Sequence, residues 1–397
     1  FATRVEHLRD PRRHFQLSAA DIHLLNPNTH TCPVFRSRRD AELTKKIYRW
    51  VSVLIDETKS AAGNLWRIGF RQGLFNMTSD KREYFRKVEQ LREANATPSG
   101  SNWVLPDGTL YVPLYEAKMV HQFDHRWAEY EEDGKTTRDL SEEDHADPQR
   151  TARPRYWVPG DEVEARLAAR DWKRGWLLGW RDICRSTDER TVIAGVVPRV
   201  GVGHTFPLMF VEQDDIRLWA ALLANLNMLV LDYVARQKVG GTHLTYGYLK
   251  QFPILPPDVY TPADLDFIVP RVFELTYTAE DLRPWAEDLM ASGEWRAASG
   301  EPNGDSPPLA THDSPLAPFP WNAPRRRQLR AELDAWYARL YGLSRDELRY
   351  ILDPADVEGE DYPSETFRVL KKKEIETFGE YLTRRLVLEA WDRLCAR

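Results

Sequence analysis

The chain has 397 residues, 42% of them hydrophobic, with 14 tryptophans and a net charge of −6 from 55 Lys and Arg against 61 Asp and Glu. That is enough apolar material for a globular protein of two or three domains with real cores. No apolar run reaches the roughly 18 residues that span a bilayer, no signal peptide is visible, and three widely separated cysteines, Cys32, Cys184 and Cys395, suit a reducing cytosol rather than a disulfide framework or zinc site.

Residues 1–33 read as mixed loop and short strand, with a turn at Asn26-Pro27-Asn28-Thr29 where Asn and Pro do ordinary backbone work. A helix is expected over 39–48, after the cationic Arg36-Ser37-Arg38-Arg39. Because the chain begins at Phe1 and not at a methionine, residues 1–60 are expected to connect to a further domain upstream. A strand is predicted at 65–70, a charged helix at 79–93 capped by Ser79 or Asp80, and a strand at 110–115 after the Pro106-Asp107-Gly108 turn. The acidic run at 129–147 reads as a solvated insertion. A helix at 161–172 and strands at 180–184, 191–197 and 205–211 complete an α/β domain over 61–257.

Within that domain, Ile216, Trp219, Leu222, Leu223, Leu226, Leu229, Val230 and Tyr233 recur at three and four and predict one largely buried helix over 215–234. Arg236 and Lys238 suit its C-terminal dipole, Gly240-Gly241 permits a left-handed exit, and Thr242 can cap the next helix. Such a helix-turn-helix step is either a structural hairpin with ordinary caps or a platform for base and phosphate contacts. Residues 258–397 read as mainly helical. Helices are expected over 262–290 and 324–341, the latter with Leu329, Leu333, Trp336, Leu340 and Tyr341 on one face, with further starts at Ser344 (Glu347 three on) and Ser364. Residues 298–320, dense in Pro, Gly, Ser and Asp, read as a flexible loop.

The charge is unevenly shared. Residues 1–256 carry 37 − 34 = +3 and the remainder 18 − 27 = −9, so the two parts are expected to do different jobs. A modest surplus binds a polyanion only where the cations cluster on one face. The major groove favours Arg and Lys on guanine and Asn and Gln on adenine, which makes Arg181, Arg185, Arg190, Gln237, Lys238 and His243 the candidate DNA contacts. On a strand, Arg181, Ile183 and Arg185 would share one face and align two guanidinium groups; the alternative is a salt-bridged sheet edge with Asp182, Asp188 and Glu189. Ser186, Thr187 and Thr242 suit phosphate contacts or caps. His121 and His125 have the spacing of a helical metal pair, but no third ligand has a definite position, and Asp124 is better explained as orienting His121 or Arg126. Gly201-Val202-Gly203 is too short for a dinucleotide fingerprint.

Five blocks occur in a telling order: LNPNTHTCPVFRSRRDAELTKKIY at 25–48, VPLYEAKMVHQFDHRWAEY at 112–130, RDICRSTDERTVIAGVVPRVGVGHT at 181–205, LDYVARQKVGGTHLTYGYLKQFPILPP at 231–257, and LYGLSRDELRYILD at 340–353. Together they resemble the C-terminal region of large adenine-N6 DNA methyltransferases of the type IIG restriction and modification kind and of the related BREX and DISARM phage-defence enzymes, DISARM being the closer. The resemblance implies a DNA target-recognition domain over 61–257 followed by a helical region, acting in the cytoplasm to mark self DNA. It also implies that Lys118, Gln122 and Arg126 lie near the DNA or a catalytic domain. The implied partners are double-stranded DNA, an upstream methyltransferase domain that uses S-adenosylmethionine, and other phage-defence proteins. The chain itself has neither the glycine-rich cofactor loop nor an Asn-Pro-Pro-Tyr type motif to hold a flipped adenine. Asn26-Pro27-Asn28-Thr29 lacks the aromatic residue, so no methyltransferase Rossmann domain, catalytic residue, cofactor-binding residue or metal ligand is expected here. The alternative is a noncatalytic scaffold that docks another defence protein.

Overall fold

The computed structural model describes residues 4–292 and 316–396; most of the loop predicted at 298–320 lies outside them. Mixed α and β structure is built around an antiparallel sheet ordered Ile68–Arg71, Leu208–Val211, Trp176–Trp180, Ala194–Pro198. The inner strand WLLGW and the edge strand AGVVP are short apolar runs buried at every position, as expected of strands covered on both faces. Gly179 is needed there, since a Cβ would come within 2.4 Å of the Pro207 carbonyl oxygen. A second sheet is centred on Leu110–Tyr115, which pairs antiparallel with Asn102–Val104 and Trp157–Pro159 and parallel with Gly201–Val202.

Four tryptophans bind the first sheet to the helices. Trp176 meets Trp172, Trp219 and Trp285 edge to face at 5.5, 5.1 and 4.7 Å, a geometry that adds ring quadrupole attraction to area burial. The principal core runs unbroken from Leu25 to Trp391, so it crosses positions 60 and 257, where domain limits were expected. Helix Pro262–Thr276 covers Ile216–Asn227, and Ala323–Leu340 packs along Leu382–Cys395.

The helix expected over 215–234 is two helices, Ile216–Asn227 and Leu229–Lys238, bent by 55°. Met228 between them is extended, and side chains from distant elements take up backbone groups freed beside it. Asp334 accepts the Leu229 N–H at 2.7 Å, while Gln122 at 3.0 Å and Arg190 donate to the Asn227 carbonyl. The Asn227 side chain pairs with both backbone groups of Ala194, at 3.0 and 3.1 Å. No single helix among the described residues is long and apolar enough to cross a membrane.

Several local expectations hold. The strand Leu110–Tyr115, the helix Arg38–Trp50 and the Ser344–Glu347 capping box of Arg345–Leu352 all form. Others change. The helix predicted at 79–93 splits into Lys81–Tyr84 and Val88–Glu93 because Arg86 between them exchanges backbone bonds with Trp157 at 2.9 and 2.8 Å. Strands predicted at 180–184 and 191–197 lie instead at Trp176–Trp180 and Ala194–Pro198, leaving 181–190 as loop. The chain leaves Leu229–Lys238 through an extended Val239; neither Gly240 nor Gly241 has a positive φ, and Thr245, not Thr242, precedes the next helix, Tyr246–Leu249. Ser364 starts no helix; the next begins at Arg368, and Gly379 ends it in the left-handed conformation. The acidic run 129–147 is exposed over much of its length but anchored at two points: Glu129 is fully buried between Arg138 and Arg150, both at 2.6 Å, and the His145 ring stacks on Trp321 at 3.7 Å.

Candidate nucleic-acid interface

Two loops that are remote in sequence are joined edge to edge. The Cys184 N–H donates to the Thr242 carbonyl at 3.1 Å, the Leu244 N–H to the Asp182 carbonyl at 2.6 Å, and Ile183 faces His243 as an antiparallel bridge. The Asp182 carboxylate pairs with His243 Nδ1 at 2.7 Å. Beneath them the buried Arg236 guanidinium donates to the carbonyls of Ser186, Asp188 and Glu189 at 2.9 to 3.0 Å, and to that of Thr366 at 3.1 Å. The outer edge is therefore held in place while Arg185, Thr187, Thr242 and His243 stay exposed. Arg185 has no side-chain partner among the described residues, so its five N–H donors are available to a ligand. Arg181 precedes this edge; it is largely buried, and burial depresses its pKa.

Five other predicted contacts lie inside the protein. Lys238 donates to the Leu25 and Gln251 carbonyls and to Asn26 Oδ1, over the Tyr48 ring at 4.3 Å, and burial pushes its pKa well below the usual lysine value. Gln237 donates to the Tyr233 carbonyl and accepts from Thr44. Arg126, fully buried, serves four carbonyls, those of Asp147, Arg150, His145 and Thr278. Arg190 pairs with Asp232 at 2.8 Å and bonds the Asn227 carbonyl, to which Gln122 also donates. These five hold loops and helix ends together, and the expectation that they reach DNA is withdrawn. Lys118 lies 4.3 Å over the Tyr130 ring, half-buried.

The His-x3-His spacing does not fall on a helix. His121 and Asp124 close a tight turn with Phe123 at φ 58°, His125 turns away to Asp281 at 2.7 Å, and Asp124 pairs with His145 at 3.1 Å. Although burial raises the Asp124 pKa, the His145 bond and charge bring it below the usual carboxylate range. Asp124 also accepts the Arg126 backbone N–H at 2.9 Å, so it orients the backbone and not the guanidinium. No group of three or more His, Cys, Asp or Glu among the described residues is placed to hold a metal.

Residue patterning missed a second surface. Lys81, Arg82, Arg86, Lys87 and Arg155 line an open groove of about 650 Å³ together with Thr78, Phe85, Gln90 and Tyr156, and no acidic side chain is among them. None of the five cations forms an ion pair with a described residue; Lys81 and Arg155 sit over the Tyr156 ring at 5.6 and 5.0 Å. The signal was the run KREYFRK at 81–87, which looks like a helix face until the Arg86–Trp157 pairing brings Arg155 beside it. Clustered, unneutralised cations of this kind suit phosphate contact without base reading. Compared with protein families and with curated proteins, the chain matches no family model and no curated protein.

Proposed function

We propose that this chain binds double-stranded DNA in the cytoplasm and acts as the target-recognition part of a site-specific adenine-N6 DNA methyltransferase that marks self DNA in phage defence. The observation that carries this reading is the two-loop edge, which brings Arg185, Thr242 and His243 together, exposed and rigidly supported, from separate parts of the chain. Arg185 has the donors for a guanine edge, Thr242 suits a phosphate, and the basic groove at Lys81 to Lys87 supplies sequence-independent attraction. In this reading S-adenosylmethionine and the methyl transfer belong to a partner domain upstream, and the two loops present the target adenine to it.

A scaffold role is favoured by one feature, the exposed Val369, Ile375 and Phe378 of helix Arg368–Phe378, which suit contact with another protein. Hydrogen–deuterium exchange with a pool of random-sequence duplexes separates the two. Target recognition predicts slowed exchange in loops 182–188 and 240–245; exchange unchanged in both loops across the pool, at low salt, would remove the DNA assignment.

A further inference from the structure

The cleft between helix Ala323–Leu340 and the turn at His121 is lined by two arginines, Arg327 and Arg330, that have no hydrogen-bonded or ion-paired partner among the described residues. Two adjoining cavities, of about 230 and 90 Å³, share His121, Gln122, Arg327 and Arg330 in their walls. Most carboxylates there are committed: Asp124 to His145, Glu189 to Lys373 at 2.8 Å, Glu374 to Thr383 at 2.6 Å, and Asp334 to the Leu229 N–H. Only Glu142, on the exposed rim, has no such partner among the described residues.

The arginines are not committed in the same way. Arg330 is half-buried and makes no hydrogen bond or ion pair with any described residue; Asp334 and Glu189 act on it only through space. Arg327 lies 5.0 Å over the Phe378 ring and has no hydrogen-bonded or ion-paired partner among the described residues. Arg181, close enough to His121 to lower its pKa, has a buried Nε without an acceptor among the described residues. A guanidinium without a protein partner keeps its N–H donors free for an anion. His121, which rests on Trp127 at 4.5 Å, is held neutral by burial and by Arg181 and Arg330, its pKa pushed down to about 3. A neutral imidazole adds one N–H donor to the cleft and no charge.

We propose that this cleft binds a phosphate group, held by the guanidinium groups of Arg327 and Arg330 with His121 donating from the opposite wall. Two guanidinium forks and an imidazole offer more donors than the two oxygens of a carboxylate accept, and the planar fork matches phosphate geometry. The phosphate belongs either to a nucleic-acid strand or to a free phosphate or phosphomonoester. The inference does not rest on the DNA reading, because the free anion alone satisfies it.

The full chain is titrated at constant ionic strength with inorganic phosphate and with adenosine monophosphate by calorimetry, and with a random-sequence duplex by fluorescence anisotropy. Arg330→Gln and Arg327→Gln are compared with Arg345→Gln, whose arginine pairs with Asp392 on the surface. For a free phosphate, both cleft variants weaken binding by about tenfold or more, the loss expected for one charge-assisted bond, and the control does not. For a strand phosphate, duplex affinity falls instead and the Arg330→Gln salt slope drops by about one. Binding of all three probes that is absent, or unchanged in both cleft variants, overturns the proposal. A second readout guards against misfolding: without phosphate, Arg330→Gln melts at the wild-type temperature or higher because it removes an unpartnered charge. A clear fall in melting temperature would place the partner of Arg330 within the protein and would also overturn it.

Discussion

Asp334 offers a quantitative check on the helix break. Its carboxylate is buried and accepts the Leu229 N–H at 2.7 Å, and burial pushes its pKa from 3.8 up to about 6 in spite of Arg190, the N–H and Arg330. A rise of about two units corresponds to roughly 3 kcal/mol. The folded protein binds this proton more tightly than the unfolded chain does. The unfolded chain therefore ionises first as pH rises, and stability falls by roughly 3 kcal/mol between about pH 4 and pH 6, staying level above. Asp334→Asn keeps an oxygen for Leu229 and removes the charge. In urea unfolding followed by tryptophan fluorescence, in phosphate-free buffer, the variant should match wild type near pH 4 and exceed it by up to about 3 kcal/mol at pH 7.5. Equal stability at pH 7.5, or a gap that widens on acidification, would refute the burial argument.

Three further outcomes are expected. Arg126→Met orphans four buried carbonyls and should cost at least about 3 kcal/mol in the same unfolding assay, since it breaks a buried charged hydrogen-bond network; a loss under 1 kcal/mol would return Arg126 to the list of surface contacts. Replacing Lys81 and Arg86 together by Ala should lower the salt dependence of duplex binding by about two counterions without altering which sequences are preferred; an unchanged slope would clear the groove of any phosphate role. Arg185→Ala, at an exposed and unpartnered position, should leave the melting temperature as it is while weakening the preferred duplex by about 1–3 kcal/mol; equal affinity would detach Arg185 from base reading.

What could be read from the sequence was what neighbours decide. Ser37 with Asp40 and Ser344 with Glu347 close capping boxes within four residues, so the starts of Arg38–Trp50 and Arg345–Leu352 are visible in the residues themselves. The break at Met228 is not, because the apolar spacing runs on through it while the groups that stabilise it, Gln122, Arg190, Ala194 and Asp334, come from distant elements. Lys238 and Arg126 misled for a related reason. Cations are ordinarily exposed, yet each of these meets backbone carbonyls from several segments, Leu25 and Gln251 for one and His145 to Thr278 for the other. Residue chemistry did single out Arg185, Thr242 and His243, but as members of separate blocks; only the pairing of Cys184 with Thr242 and Ile183 with His243 makes them neighbours.

The most direct test of DNA target recognition is selection from a randomised duplex library by the full chain, with retained molecules sequenced at two salt concentrations, for wild type and Arg185→Ala. The account predicts one short adenine-containing motif that persists at the higher salt and degrades at one or two positions in the variant. Retention without any motif, identical for both proteins, would contradict it and favour a scaffold whose DNA contact is electrostatic alone.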